Sequence, residues 1–215
     1  MKVALLGAES TGKTALSLAL AAHWRAQGRS VAVVAEVLRE WCEREGRTPR
    51  PQEQLPIAQE QERRVDAAAS QADIVIADTT AVMVAIYSAM LFEDGSLYRF
   101  ALERLRSYDH VLLTGLDLPW VPDGLQRDGP QVREPVDALV RQALARAAVP
   151  WRVVYGSGAE RLRNALDAID SVAARADPER VAAGFPSETA RWTWACETCG
   201  DAECEHRLLS RLRAG

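Results

Sequence analysis

Residues 7–14 read GAESTGKT and fit the pattern G-x-x-x-x-G-K-[ST], which leaves the neighbouring chain little structural freedom. KVALL at 2–6 is a short apolar run of strand formers, and the run TALSLALAAHWRAQ from Thr14 is long enough for a helix closed by Gly28. Strand, glycine loop, helix is the setting a phosphate-binding loop requires. Glycines let the backbone curl so that successive N–H groups point inward, and the following helix presents its positive end to the same anion. Gly7, Ala8, Glu9, Ser10, Thr11 and Gly12 are therefore expected to wrap the phosphates of ATP. Lys13 is expected to reach the β and γ phosphates, and the Thr14 hydroxyl to help hold Mg²⁺. Of 26 basic side chains only Lys2 and Lys13 are lysine. Lysine is thus kept where a slender point charge suits a phosphate better than a guanidinium fork.

Downstream the chain alternates. VAVVAE (31–36) reads as a strand ending at Glu36, and VLREWCEREG as a helix. RTPRPQEQLP (47–56) carries three prolines and is expected to break the helical pattern, which resumes over 57–72. DIVIAD (73–78) is a strand whose closing Asp78 resembles the second nucleotide-binding signature, a carboxylate that orders Mg²⁺. After a helix from Ala81 and a shorter one over 97–107, HVLLTG (110–115) is the fourth strand. Residues 116–135 read as a polar loop carrying Arg127 and Arg133; then come a helix, the strand WRVVY (151–155) and a last helix over 159–175. The expectation is a three-layer α/β fold built on a five-stranded parallel sheet.

Ligands of an open parallel sheet bind outside the carboxyl ends of its strands. Lys13, Thr14, Glu36 and Asp78 all fall at that edge, with Arg127 and Arg133 on the loop after the fourth strand. Phosphoryl transfer needs phosphates held in line, metal, cations for the transition state, and a carboxylate to take the acceptor's proton. The expected catalytic set is Lys13, Glu36, Asp78, Arg127 and Arg133, the arginines closing over the phosphates as lid cations.

GAESTGKT, EVLREW at 36–41, DTT at 78–80 and WVPDGL at 120–125 with its downstream arginines together resemble the kinase domain of NadR-type nicotinamide riboside kinases, within the phosphate-loop NTPases. The likeness runs over about residues 1–172. It implies an ATP-dependent kinase that phosphorylates the 5′-hydroxyl of nicotinamide riboside in NAD salvage. It also implies that Glu36, Arg39, Trp41, Asp78, Trp120 and Asp123 meet the acceptor, Glu36 as base. Relatives often carry a second acid two residues after the strand-end Asp, where this chain has Thr80. Kinases of other nucleosides or nucleotides remain open, as does a regulatory ATPase with the tail as a partner-binding module.

Residues 176–191 read as a linker and 192–215 as a cysteine-rich tail, beyond a kinase domain of residues 1–175. Cys196, Cys199, Cys204 and His206 make C-x₂-C-x₄-C-x-H, a soft ligand set suited to a structural Zn²⁺. The net charge is −4 and no apolar run approaches the ~20 residues of a membrane span. Neither nucleic acid nor membrane is an expected partner, and the expected setting is cytoplasmic. No oligomeric state can be read from these residues.

Overall fold

Five short apolar runs become the strands β1 (Lys2–Leu6), β2 (Val31–Val34), β3 (Ile74–Asp78), β4 (His110–Thr114) and β5 (Arg152–Val154). They pair in the order β2-β3-β1-β4-β5, every pair parallel. The protein is seen here in a computed structural model that describes residues 1–121 and 129–176, with side chains of the second stretch as far as 171. Met1–Ala173 form one compact unit.

Period-2 alternation sends successive strand residues to opposite faces, and both faces are covered. Val3, Leu5, Ile74, Ile76 and Leu112 pack on one side against Leu16, Leu20 and Trp24 of α1 (Lys13–Ala26) and Ala165 and Ile169 of α7 (Gly158–Ala176). Ala4, Leu6, Val75, Ala77, Val111 and Leu113 face the other side. There lie α2 (Val37–Glu45), α3 (Pro51–Ala69), α4 (Ala81–Phe92), α5 (Tyr98–Leu105) and α6 (Arg133–Ala147). The expected α/β fold and its five-stranded sheet are present. β1 sits at the centre, so the loop that leaves its carboxyl end lies in the middle of the ligand-binding edge.

Three boundaries differ from the sequence reading. The prolines do not keep helix out of residues 51–56: α3 begins at Pro51 and contains Pro56. Proline at the first helical position loses only an N–H that had no partner anyway. Glu53 then ties the start down, accepting from Arg50 N at 2.7 Å and from both Arg47 guanidinium nitrogens at 2.8 Å. β2 stops at Val34, and Glu36 is the N-cap residue of α2 rather than a strand end. The loop after β4 ends sooner than expected, because Pro130–Val132 form a 3-10 turn and Arg133 opens α6. Asp123, Arg127, the linker and Cys196, Cys199, Cys204 and His206 lie outside the described residues. Among those that are described, no group of His, Cys, Asp or Glu is placed to hold a metal on its own, and no helix is long and apolar enough to cross a membrane.

α3 carries buried polar side chains that position its neighbours. Gln61 Oε1 accepts from the Val37 amide at 2.8 Å, and Glu62 Oε1 accepts from the Ala81 amide at 2.9 Å. Both amides begin helices that follow ligand-edge residues, so α3 sets where α2 and α4 start. Glu62 Oε2 also accepts from Tyr108 Oη at 3.0 Å. Burial raises the Glu62 carboxyl above its usual 4.5, against the lowering effects of those hydrogen bonds and of Arg104. The folded state therefore holds this proton more tightly than the unfolded chain. That contribution to stability is complete below the ordinary glutamate value and is lost as pH rises through the raised native value. Glu62→Gln, which retains an acceptor oxygen, is expected to abolish this dependence. Denaturant titrations from about pH 4 to about pH 7 should show wild type losing stability relative to the variant as pH climbs. A pH-independent difference would contradict the assignment.

Candidate functional site

Gly7 and Gly12 give the loop its shape, at φ +149° and +76°. A Cβ on Gly7 would stand 2.1 Å from Thr114 Oγ1, and one on Gly12 2.9 Å from Leu118 Cδ1. Gly7 has no room for a side chain, and at Gly12 the left-handed backbone disfavours one even where the tip of Leu118 could give way. Thr11, fully buried, places Oγ1 2.7 Å from the Ala8 carbonyl oxygen and 2.7 Å from Thr114 Oγ1, which anchors the loop to β4. Ser10 at the crest donates from Oγ to the Val121 carbonyl at 2.7 Å. Lys13 folds back across the loop, Nζ donating to Gly7 O at 2.9 Å and Ala8 O at 2.8 Å. Those carbonyls hold the ammonium over the mouth of the loop, where a phosphate can take their place.

Asp78 ends β3 beside the loop because β3 pairs with β1 in register, Leu5 opposite Asp78. Its Oδ2 accepts from Thr14 Oγ1 at 2.5 Å. Its Oδ1 is buried with no hydrogen-bond partner among the described residues. A carboxylate so deeply placed, with one oxygen on a hydroxyl and the other unused, suits a hydrated cation. Next to it Thr79 adopts φ +86°, a region β-branched residues rarely enter. Strain of this kind persists only where surrounding contacts over-determine it. Thr80, where relatives often have an acid, caps α4 by accepting from the Val82 amide at 3.2 Å.

A cleft of about 640 Å³ opens over the loop, lined by Ser10–Ala15, Arg39, Leu118, Pro119 and Val121. Arg39 reaches it from α2, paired with Glu36 at 3.1 Å, Glu36 being 15% exposed. The structure thus brings Lys13, Thr14 and Asp78 together, with Arg39 lining the same cleft and Glu36 joined to it through their ion pair. Trp41 does not join them. Two residues further along α2 it faces away, lining a second cleft of about 380 Å³ with Val37 and Ile57. There the Arg47 guanidinium lies 4.7 Å from the Trp41 ring centre. Trp120 is half-buried between Pro119 and Val121, two residues that do line the main cleft.

Arg133 requires correction as a mobile lid cation. It is 8% exposed and donates to the Leu118 carbonyl at 2.8 Å and the Leu116 carbonyl at 3.3 Å. Both Nη groups of this guanidinium are engaged in holding that loop. Among the described residues, the cation that joins Lys13 in lining the cleft is Arg39. Two residues that sequence reasoning missed, Asp117 and Arg161, join the loop after β4 to the phosphate loop, with Arg161 Nη1 3.2 Å from Asp117 Oδ1. Nothing in the sequence marks Arg161 among so many arginines, since its partners are mostly backbone oxygens far away in the chain.

Comparison with known proteins agrees with this geometry. A family model described as an AAA domain matches residues 2–161. No curated protein sequence matches the chain. Among solved structures, the NadR protein in complex with NAD and AMP-PNP superposes with a TM-score of 0.59 at 20% identity. The NadR protein in complex with NR gives 0.60 at 19% identity. Each covers 80% of this chain, which spans about half (49%) of the NadR chains. A deoxyadenosine kinase from M.mycoides (TM-score 0.56, 13% identity) is matched over 80% of this chain and 100% of its own. A thymidylate kinase from Ehrlichia chaffeensis (0.57, 14%) is matched over 80% and 98%. At these identities the likeness is one of fold.

Proposed function

The chain belongs to the AAA domain family, and from that premise we propose that it is an ATP-dependent kinase whose acceptor is a small-molecule nucleoside, nicotinamide riboside before others. The observation that carries this is the Thr14–Asp78 contact at 2.5 Å beneath a glycine loop already bent for phosphate. Loop amides and Lys13 would hold the β and γ phosphates. Thr14 and Asp78 have the oxygens, one of them unused, to hold Mg²⁺, which when bound neutralises phosphate charge. Glu36 would take the acceptor's hydroxyl proton, and its partner Arg39 would offer the cleft a cation as charge builds on the transferring group. Leu118 and Pro119 supply an apolar wall that limits water at the phosphates.

Nicotinamide riboside is favoured by the GAESTGKT, EVLREW and WVPDGL segments and by the fold shared with the NadR structures. Thr80 favours a second reading, a kinase of another nucleoside, because its hydroxyl is committed to capping α4 and brings no charge to the acceptor. Steady-state rates with nicotinamide riboside, deoxyadenosine, thymidine and thymidylate under saturating Mg·ATP separate the two. We expect kcat/KM for nicotinamide riboside to exceed each of the others by about tenfold or more. A higher value for any of the other three would reassign the acceptor.

A further inference from the structure

We propose that Arg161, set by Asp117, is a positioning residue for the nucleotide loop. From the first turn of α7 it grips the loop's backbone from behind and fixes the direction of the peptide entering Gly12. The inference rests on the nucleotide-binding reading above but names a residue that reading does not need.

Arg161 is 4% exposed, and a buried guanidinium is costly where a donor goes unanswered; its Nε has no partner among the described residues, and the two Nη groups make all its contacts. Nη1 donates to the Gly156 carbonyl at 2.6 Å and lies 3.2 Å from Asp117 Oδ1. Nη2 donates to the Thr11 carbonyl at 2.7 Å and lies 3.5 Å from the Gly115 carbonyl. Asp117 Oδ2 in turn accepts from the Gly156 amide at 2.6 Å. One side chain thus ties three loops at the sheet's carboxyl edge, those after β1, β4 and β5. Its contacts are 44 to 150 residues away in sequence, apart from Gly156.

An ion pair of this kind, with Arg161 buried and Asp117 open to solvent, is weak evidence for stability. What a planar fork supplies is direction. The Thr11–Gly12 peptide is planar and trans, so pinning its carbonyl toward Arg161 turns the Gly12 N–H the opposite way. Gly12 lines the cleft while Arg161 stands behind it. The Gly12 amide therefore faces away from Arg161 before any nucleotide arrives, which lowers the ordering cost of binding.

The test is the affinity of wild type, Arg161→Lys, Arg161→Ala and Asp117→Asn for Mg·AMP-PNP, each beside its melting temperature. The alanine variant is measured with and without ethylguanidinium. We expect Arg161→Lys and Asp117→Asn to melt near wild type yet bind AMP-PNP about tenfold or more weakly. Ethylguanidinium should restore part of the affinity to Arg161→Ala. Affinity within about twofold of wild type in both conservative variants would overturn the proposal. So would affinity and melting temperature falling in step, as a merely structural role requires. Should Arg161→Ala fail to fold, the two conservative variants decide. A wild type that binds AMP-PNP but phosphorylates no nucleoside would overturn the kinase reading alone, because this test does not use turnover.

Discussion

Lys13→Ala is expected to lower phosphoryl transfer by about 10²–10³-fold while leaving the fold intact. The Lys13 ammonium has no role in either apolar core: it donates to the Gly7 and Ala8 carbonyls of its own loop. Those carbonyls regain water when it is removed. No other described cation stands within the loop itself: Arg39 reaches the cleft from α2 paired with Glu36, Arg133 is held by loop carbonyls and Arg161 is buried behind the loop. Lys13→Arg should fare little better, since a wide fork cannot occupy the space of a point charge between two phosphates. Turnover at saturating nucleoside, read beside the thermal unfolding midpoint, checks both variants. Near-normal turnover in Lys13→Ala would mean that the loop does not serve catalysis.

Asp78 and Glu36 should fail in different ways. Asp78→Asn keeps the shape and an acceptor for Thr14 but removes the charge. The Mg²⁺ concentration giving half-maximal rate is expected to rise by about 10–100-fold. Glu36→Gln removes a proton acceptor and leaves the phosphate loop untouched. Turnover with acceptor is expected to fall by about 10²–10⁴-fold, while ATP affinity stays nearly unchanged. The Glu36–Arg39 pair adds a further signature: Arg39 loses the charge of one partner, and the KM for ATP should drift by a few-fold at most. Titrating both variants for ATP, Mg²⁺ and nucleoside separates the roles. If Glu36→Gln lost ATP affinity and kept its acceptor-dependent rate, the assignments would be reversed.

The phosphate loop, its strand and its helix were legible because local chemistry dictates them: Gly7 and Gly12 take positive φ, which strains any side chain, and period-2 burial marks each strand. Asp78 was legible for the same reason, since a run of four apolar residues fixes where β3 ends. Proline was a poorer guide. Pro51 and Pro56 look like breakers, but one opens α3 and the other lies inside it, where the Glu53 contacts hold the helix start. Arg133 was misplaced because nothing in the sequence marks where α6 begins, and Trp41 because the first turn of α3, which it faces, was read as broken chain. With α6 starting at Arg133 and α2 at Val37, one side chain turns beneath a loop and the other toward α3. The Asp117–Arg161 tie was not legible at all. Its partners are backbone oxygens from three separate loops, and no residue type announces a carbonyl that needs holding.

The most direct measurement is the fate of the γ-phosphate. With γ-labelled ATP, Mg²⁺ and nicotinamide riboside, the label should appear in a mononucleotide esterified at the 5′-hydroxyl, at a rate that vanishes in Lys13→Ala. Label found only in inorganic phosphate, with every nucleoside offered, would contradict a kinase and leave a phosphate-loop ATPase in its place.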